Sequence, residues 1–189
     1  QARKAALSSP VCGKFRLGHF CGVATVVLKL LNLAEPDTLY LGQKDYQQAL
    51  IVRAVARDLD LPCRVLIAPT VRERDGLALS SRNVYLDPDQ RRRAAGLIRS
   101  LREGRAAVRS GSREARAILA RVQRTLEREA RPDGIDYVAL VDPATLEPLS
   151  RVMARGIFIA AIRIGKTRLI DNLFVAAPPR ARYRAGRSA

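Results

Sequence analysis

The chain has 189 residues, 48% of them hydrophobic, and a formal net charge of +16 from 34 basic and 18 acidic side chains. That length suits one sizeable domain or two small ones with a packed core, and no apolar run reaches the ~18 residues of a membrane helix. The three cysteines, Cys12, Cys21 and Cys63, lack CxxC spacing, and the first residues lack the apolar stretch of a signal peptide, so no disulfide framework, zinc site or membrane association is expected and the protein reads as soluble and cytoplasmic.

The chain opens on Gln1 and its one methionine is Met153, which reads as a processed chain or a piece of a longer one. A strongly basic chain raises the possibility of a nucleic-acid or other polyanion-binding module. Lysine, however, occurs only at positions 4, 14, 29, 44 and 166, and many arginines fall between Arg91 and Arg131 among glutamates. A solvated helical face explains that pattern better, and aromatic residues at 5% leave little for bases to stack on. Nucleic acid is not the expected partner; a basic α/β binding module stays as the alternative.

Residues 1–15 have no period and read as loose. From Gly18 to Leu33 apolar residues recur at helical spacing, with Phe20, Val23, Val26, Val27, Leu30 and Leu31 on one face. Glu35-Pro36-Asp37 stops this helix, and TLYLG (38–42) reads as a short strand. Asp45 sits where an N-cap belongs, ahead of Ala49, Leu50, Val52, Val55, Ala56 and Leu59 in helical rhythm. A second strand, Cys63 to Pro69, places Cys63 in an apolar run as a buried thiol. Strand, helix and strand within about 30 residues make a βαβ unit and imply a parallel sheet.

TVRERDGLALSSRNVYL (70–86) is loop-like, with Asp75-Gly76 as a turn. Asp87-Pro88 opens a helix to about Arg102, and another runs from Ser112 to Ala130. Gly134–Asp142 reads as a strand, and Gly156–Val175 as two extended segments about a Gly165-Lys166 turn. Asp136 and Asp142 read as structural, Asp171-Asn172 as a turn and not a site, and the tail from Pro178 as disordered. A boundary near Val71–Val84 gives 16–72 as a parallel α/β piece, 73–176 as a smaller α+β piece and 177–189 as a tail.

Ligands of open parallel sheets sit outside the carboxyl ends of the strands. Gly42–Asp45 leaves the first strand there and Pro69–Arg82 leaves the second, so both should overlie one sheet edge. The residue types suit a polyphosphate. Gly42 admits a ligand close to the backbone, and Lys44 places a cation near a helix N-terminus that itself favours anions. Ser80 and Ser81 offer hydroxyls, and Arg82 a planar fork. Asp45 can cap its helix or hold Mg²⁺ through water.

The words GQKDYQQ (42–48), PTVRERDGLALSSRNVYL (69–86) and RLGHFCGVATVVLKL (16–30) together resemble the pantothenate synthetase (pantoate–β-alanine ligase) family, whose usual forms are GEKDxQQ, PTxREpDGLAxSSRNxYL and RPGHFxGVxTVVxKLF. IDYVALVD and TRLIDNL are similar to its C-terminal domain, so the likeness runs from about Arg16 to Val175. It implies the C-terminal half of a Rossmann-like nucleotidyltransferase domain of the HIGH type, followed by a small α+β lid domain. The implied reaction joins pantoate and β-alanine through a pantoyl adenylate, with ATP and Mg²⁺, in an enzyme that is usually a homodimer.

By the same resemblance Gly42, Gln43, Lys44, Asp45, Val71, Leu79, Ser80, Ser81 and Arg82 would bind ATP. Lys44, Ser80, Ser81 and Arg82 would stabilise the departing pyrophosphate. Gln48, Arg16 and His19 would lie at the pantoate, with Asp45 the possible Mg²⁺ contact. Two departures stand out: Gln43 replaces the family's Glu, and Leu17 its Pro. The resemblance also implies an upstream half with the first strand, a HxGH-type histidine pair and a substrate-binding glutamine, none matched in these residues. Weak or no turnover is therefore expected of this chain as it stands.

Overall fold

The computed structural model describes residues 19–178. Helix α1 (His19–Ala34) is apolar over most of its surface, but only one stripe has a partner: Phe20 and Leu31 are buried, with Ala24 and Leu28 packed beside them. Val26 and Leu30, placed by the spacing on the buried face, are instead 53% and 58% exposed. With apolar residues nearly all round, periodicity cannot pick the packing stripe; the neighbouring helix does.

That neighbour is α2 (Tyr46–Asp58), the crossover between strands β1 (Thr38–Gly42) and β2 (Arg64–Ala68). The strands pair in parallel, Thr38 opposite Arg64 through Gly42 opposite Ala68, as the βαβ reading requires. Cys63 precedes β2 and is half-buried, not buried as expected. Its backbone N–H turns back to the Leu61 carbonyl at 2.7 Å.

Helix α3 (Pro88–Ala94) has a full capping box: the Asp87 carboxylate accepts from the N–H groups of Asp89 and Gln90, and the Gln90 side chain accepts from the Asp87 N–H. Helix α4 (Gly96–Arg109) follows after one residue and passes well beyond Arg102. Gly104 lies in its interior. A Cβ there would lie 2.5 Å from Val122 Cγ2 and 2.7 Å from Phe158 Cζ, so its bareness lets α4 approach helix α5 (Ala115–Glu129) and the sheet beyond.

That sheet is antiparallel, in the order β3 (Gly134–Val141), β4 (Arg155–Ile164), β5 (Thr167–Ala176). Gly165, at φ +56°, turns β4 into β5. Side chains alternate between two cores. Phe158, Ala160, Ile162 and Ile164 join α4 and α5, together with Leu77 of the long loop. Ile157 and Ile159 face the other way, onto Phe20 of α1 and Tyr46, Leu50 and Ile51 of α2. The register shifts between Ile135 and Tyr137, so Asp136 is the extra residue of a β-bulge.

Gly96 of α4 lies against the main chain at the end of α5, where a Cβ would lie 2.5 Å from Ala130 N and 2.7 Å from Glu129 C. Main chain yields less readily than a side-chain tip. Gly96→Ala should lower the unfolding free energy by about 2 kcal/mol, measured by urea denaturation; an unchanged or higher midpoint would show that the helices do not meet so closely.

Candidate active site

Strand β1 ends at Gly42, and the chain makes one 3-10 turn over Gln43–Asp45 before α2 begins. Gly42 is extended at φ −73°, ψ 134°, which any residue adopts, and a Cβ there would meet nothing within 4 Å. Its contribution is the open space in front of it. Asp45 occupies the N-cap position, yet its side chain makes no capping hydrogen bond, contrary to the capping role its position suggests. The 3-10 turn gives it φ −96°, ψ 52°, outside the extended region from which a cap reaches back, and it lines the cavity instead.

Lys44 crosses to the second segment: its Nζ donates to the Leu79 carbonyl at 3.2 Å. Burial lowers its pKa from the usual lysine value, and the charge of Arg82 adds to this, while Asp45 and Asp171 oppose it. A bound anion would reverse that shift by favouring the ammonium. The two segments, 35 residues apart in sequence, thus meet beyond the carboxyl ends of the parallel strands.

The second segment is pinned on both sides. Arg72 bridges to Ala78, and the Leu79 N–H donates to the Val71 carbonyl at 2.9 Å. Arg72 grips Asp171 of β5 through both terminal nitrogens, at 2.7 and 2.9 Å; Asp171 is only 2% exposed. Asn83 donates to Glu73 at 2.9 Å and to the Ala78 carbonyl at 3.2 Å. Arg91 of α3 meets Glu73 at 2.6 Å and Asp75 at 2.5 Å, and holds both carboxyls below their usual pKa values. Ser80 caps the short helix Ser81–Tyr85, its Oγ accepting from the Arg82 N–H at 3.3 Å.

Asn172 joins the first segment to the sheet. Its Nδ2 donates to the Gln43 carbonyl at 2.7 Å and to the Lys44 carbonyl at 3.0 Å, and its Oδ1 accepts from Gln43 Nε2 at 2.9 Å. Gln43 uses an amide N–H that a glutamate there would lack. Asp171-Asn172 reads in sequence as a turn away from any site; both residues lie inside β5 with buried side chains. Their partners lie about 100 and 129 residues away, and no local pattern announces such contacts.

A cavity of about 520 Å³ opens between α2 and the β3–β5 sheet. Of the residues expected to act, Lys44, Asp45, Gln48 and Arg82 line it. Ser80, with Lys44 and Arg82, lines a narrow crevice. Gly42, Gln43, Val71, Leu79 and Ser81 are not on the cavity wall; Val71, Leu79, Ser81 and Arg82 are exposed. Arg16 lies outside the described residues, and His19 is described only as the first residue of α1. The sequence does not announce the opposite wall, Asp136, Arg163, Arg168, Asp171 and Asn172. Nor does it announce Tyr46: its hydroxyl donates to the Pro143 carbonyl at 2.9 Å, its ring meets Phe174 edge-on at 5.3 Å, and burial raises its pKa.

A model of the Pantoate-beta-alanine ligase family matches residues 1–174. The pantothenate synthetase of Moorella thermoacetica is 51% identical over 170 residues, covering 88% of this chain and 59% of that protein. A crystal structure of the Thermus thermophilus pantothenate synthetase superposes with a TM-score of 0.85 at 46% identity, over 89% of this chain and 60% of that one. The Francisella tularensis pantoate-beta-alanine ligase, complexed with β-γ ATP and β-alanine, matches at a TM-score of 0.65 and 31% identity, over 88% of this chain and 54% of that one. The chain thus spans about 59% of the length of the curated relatives it matches.

Removing the charge from Asp171 strands the largely buried Arg72 guanidinium, so Asp171→Asn should cost about 3 kcal/mol in urea unfolding; a loss near zero would mean the pair is not a buried clamp. The Arg91 bridges give a pH signature. Glu73 and Asp75 sit below their ordinary values of 4.5 and 3.8, so they stabilise the fold above those values and lose that contribution as pH falls through their lowered folded values. Between pH 6 and about pH 3, Arg91→Gln should lose less stability than the parent, as read from thermal melts; parallel losses would rule the bridges out.

Proposed function

The chain belongs to the Pantoate-beta-alanine ligase family, and from that premise we propose that its cavity serves the ATP-dependent joining of pantoate to β-alanine. The observation that carries the reading is the Lys44–Leu79 contact, which brings both nucleotide-type motifs to one cavity whose wall also holds Gln48. Residues 16–72 are taken as the nucleotide-binding piece, and 73–176 as the lid piece that starts with the Ser-Ser-Arg loop.

In the first step the pantoate carboxylate attacks the α-phosphorus of ATP. The bond to the bridging oxygen breaks, and pyrophosphate leaves. In the second the amine of β-alanine attacks the acyl carbon, the bond to AMP breaks and the amine proton passes to solvent. Neither step needs an enzyme nucleophile. Both need fixed charge where oxygen gains electrons, and fixed partners for the acid. Lys44 and Arg82 supply cations, Ser80 and Ser81 hydroxyls, and Gln48 an amide in the first turn of α2. Arg16 and His19 belong to the same proposal, at the pantoate.

Mg²⁺ is commonly held by one or two carboxylates together with substrate phosphates. Asp136 and Asp171 both pair with arginine, whereas Asp45 stands beside Lys44 on the cavity wall, and one carboxylate there fits such an ion. Bound, Mg²⁺ would neutralise phosphate charge. The same reading extends to a cytoplasmic homodimer. Histidine occurs once in the 189 residues, at His19. The histidine pair implied by the resemblance is not among them, so residues 1–189 alone should show pantoate-dependent ATP–pyrophosphate exchange near background.

The deciding test is nucleotide binding. Lys44→Ala should weaken ATP binding by about tenfold or more in calorimetry, since charge-assisted contacts contribute about 1.5–3 kcal/mol, while binding by the parent chain persists at moderate salt. ATP affinity that ignores Lys44 and collapses with salt would instead identify a diffuse polyanion surface.

A further inference from the structure

The cavity wall formed by the β3–β5 sheet holds two arginines that the steps above leave without a task. Arg163 of β4 and Arg168 of β5 are direct cross-strand partners. Like charges in that position oppose pairing, yet here they face each other on the wall of the cavity. The bulge explains how they are tolerated. It sets the side chain of Asp136, 8% exposed, between them: Arg163 Nε donates to Oδ1 at 3.1 Å and Arg168 Nε donates to Oδ2 at 2.6 Å. One carboxylate braces two guanidinium groups, and the three side chains together keep one more positive charge than negative.

Neutralising Asp136 would take a single arginine. Two planar forks set by one bulge are an arrangement that recognises an oxyanion, and guanidinium charge does not titrate at working pH. We propose that Arg163 and Arg168, braced by Asp136, form an oxyanion subsite of the cavity. The chemistry fits either the carboxylate of the amine substrate or the phosphates that leave as pyrophosphate. This assignment rests on the proposed function for its ligands and not for its geometry.

The test titrates β-alanine and pyrophosphate separately into the 189-residue chain, followed by calorimetry or by chemical-shift changes at Arg163 and Arg168. The double variant Arg163→Gln/Arg168→Gln should lose about tenfold in affinity for one of the two ligands, and which one names the source. The double lysine variant, which keeps the charge but not the fork, should recover only part of the loss. Arg163→Gln alone, altering the more exposed partner, should weaken the same ligand with an unchanged urea midpoint, which separates binding from misfolding. Unchanged affinity for both ligands, or no measurable binding of either to the parent, overturns the subsite. If Lys44→Ala still weakens ATP in that case, the function stands without the subsite. Loss of anion binding in the arginine variants with ATP indifferent to Lys44 would leave the subsite without the nucleotide reading.

Discussion

The site depends above all on the amide of Asn172. From the middle of β5 it donates to the carbonyls of Gln43 and Lys44 and accepts from the Gln43 side chain. These two carbonyls sit in the 3-10 turn at the break between β1 and α2. The Asn172 amide is itself buried, and leaving a buried polar group unpaired costs about 1–3 kcal/mol, so the amide fixes the turn energetically as well as sterically. Once the turn is fixed, Lys44 has a set origin, and its reach to Leu79 defines how the two motif segments approach. Next door on the same strand, Asp171 holds Arg72. Two consecutive residues of β5 therefore orient both segments, one through main chain and one through charge.

Charge is organised in the same way across the molecule. The formal charge of +16 suggests a surface seeking a polyanion, but many of the helical arginines have local acidic partners. Arg99 meets Glu129, Arg121 meets Glu103, and Arg91 meets Glu73 and Asp75. Such exposed pairs contribute little stability singly, though they do answer the helical cations where they stand. At the cavity the balance differs: Lys44 is partly desolvated beside Arg82, and an arginine pair shares one carboxylate. That is where an incoming anion gains most.

Much of the architecture was legible in the chain. Alternation, helical spacing and turn residues located the βαβ unit, the helix start at Asp87-Pro88 and the β4–β5 hairpin, because each is a local pattern with a local cause. Failures came where a distant partner decided the outcome. The helical segment reads as ending near Arg102, but it runs on to Arg109 through Gly104, which Val122 and Phe158 crowd. Val26 and Leu30 have the right period for burial, yet among the described residues they stay more than half exposed. Asp171-Asn172 reads as a polar turn, and the strand continues through it because each side chain finds a buried partner far along the sequence. The motif words brought Lys44, Asp45, Gln48 and Arg82 to the cavity, but nothing local announces its far wall. A strand aspartate and two arginines become a cluster only when a bulge turns them together.

The anchoring of the long loop also sets a length scale. Leu79 is tied to Val71 and Asn83 to Glu73, while Ser80, Ser81 and Arg82 lie between. A chain of that length has a contour of roughly 14 Å, so with both ends held its tip stands off by at most about 7 Å. Any closure made by this loop is thus a flap on the scale of one phosphate chain, and a larger sweep would first require breaking the hydrogen bonds at its feet.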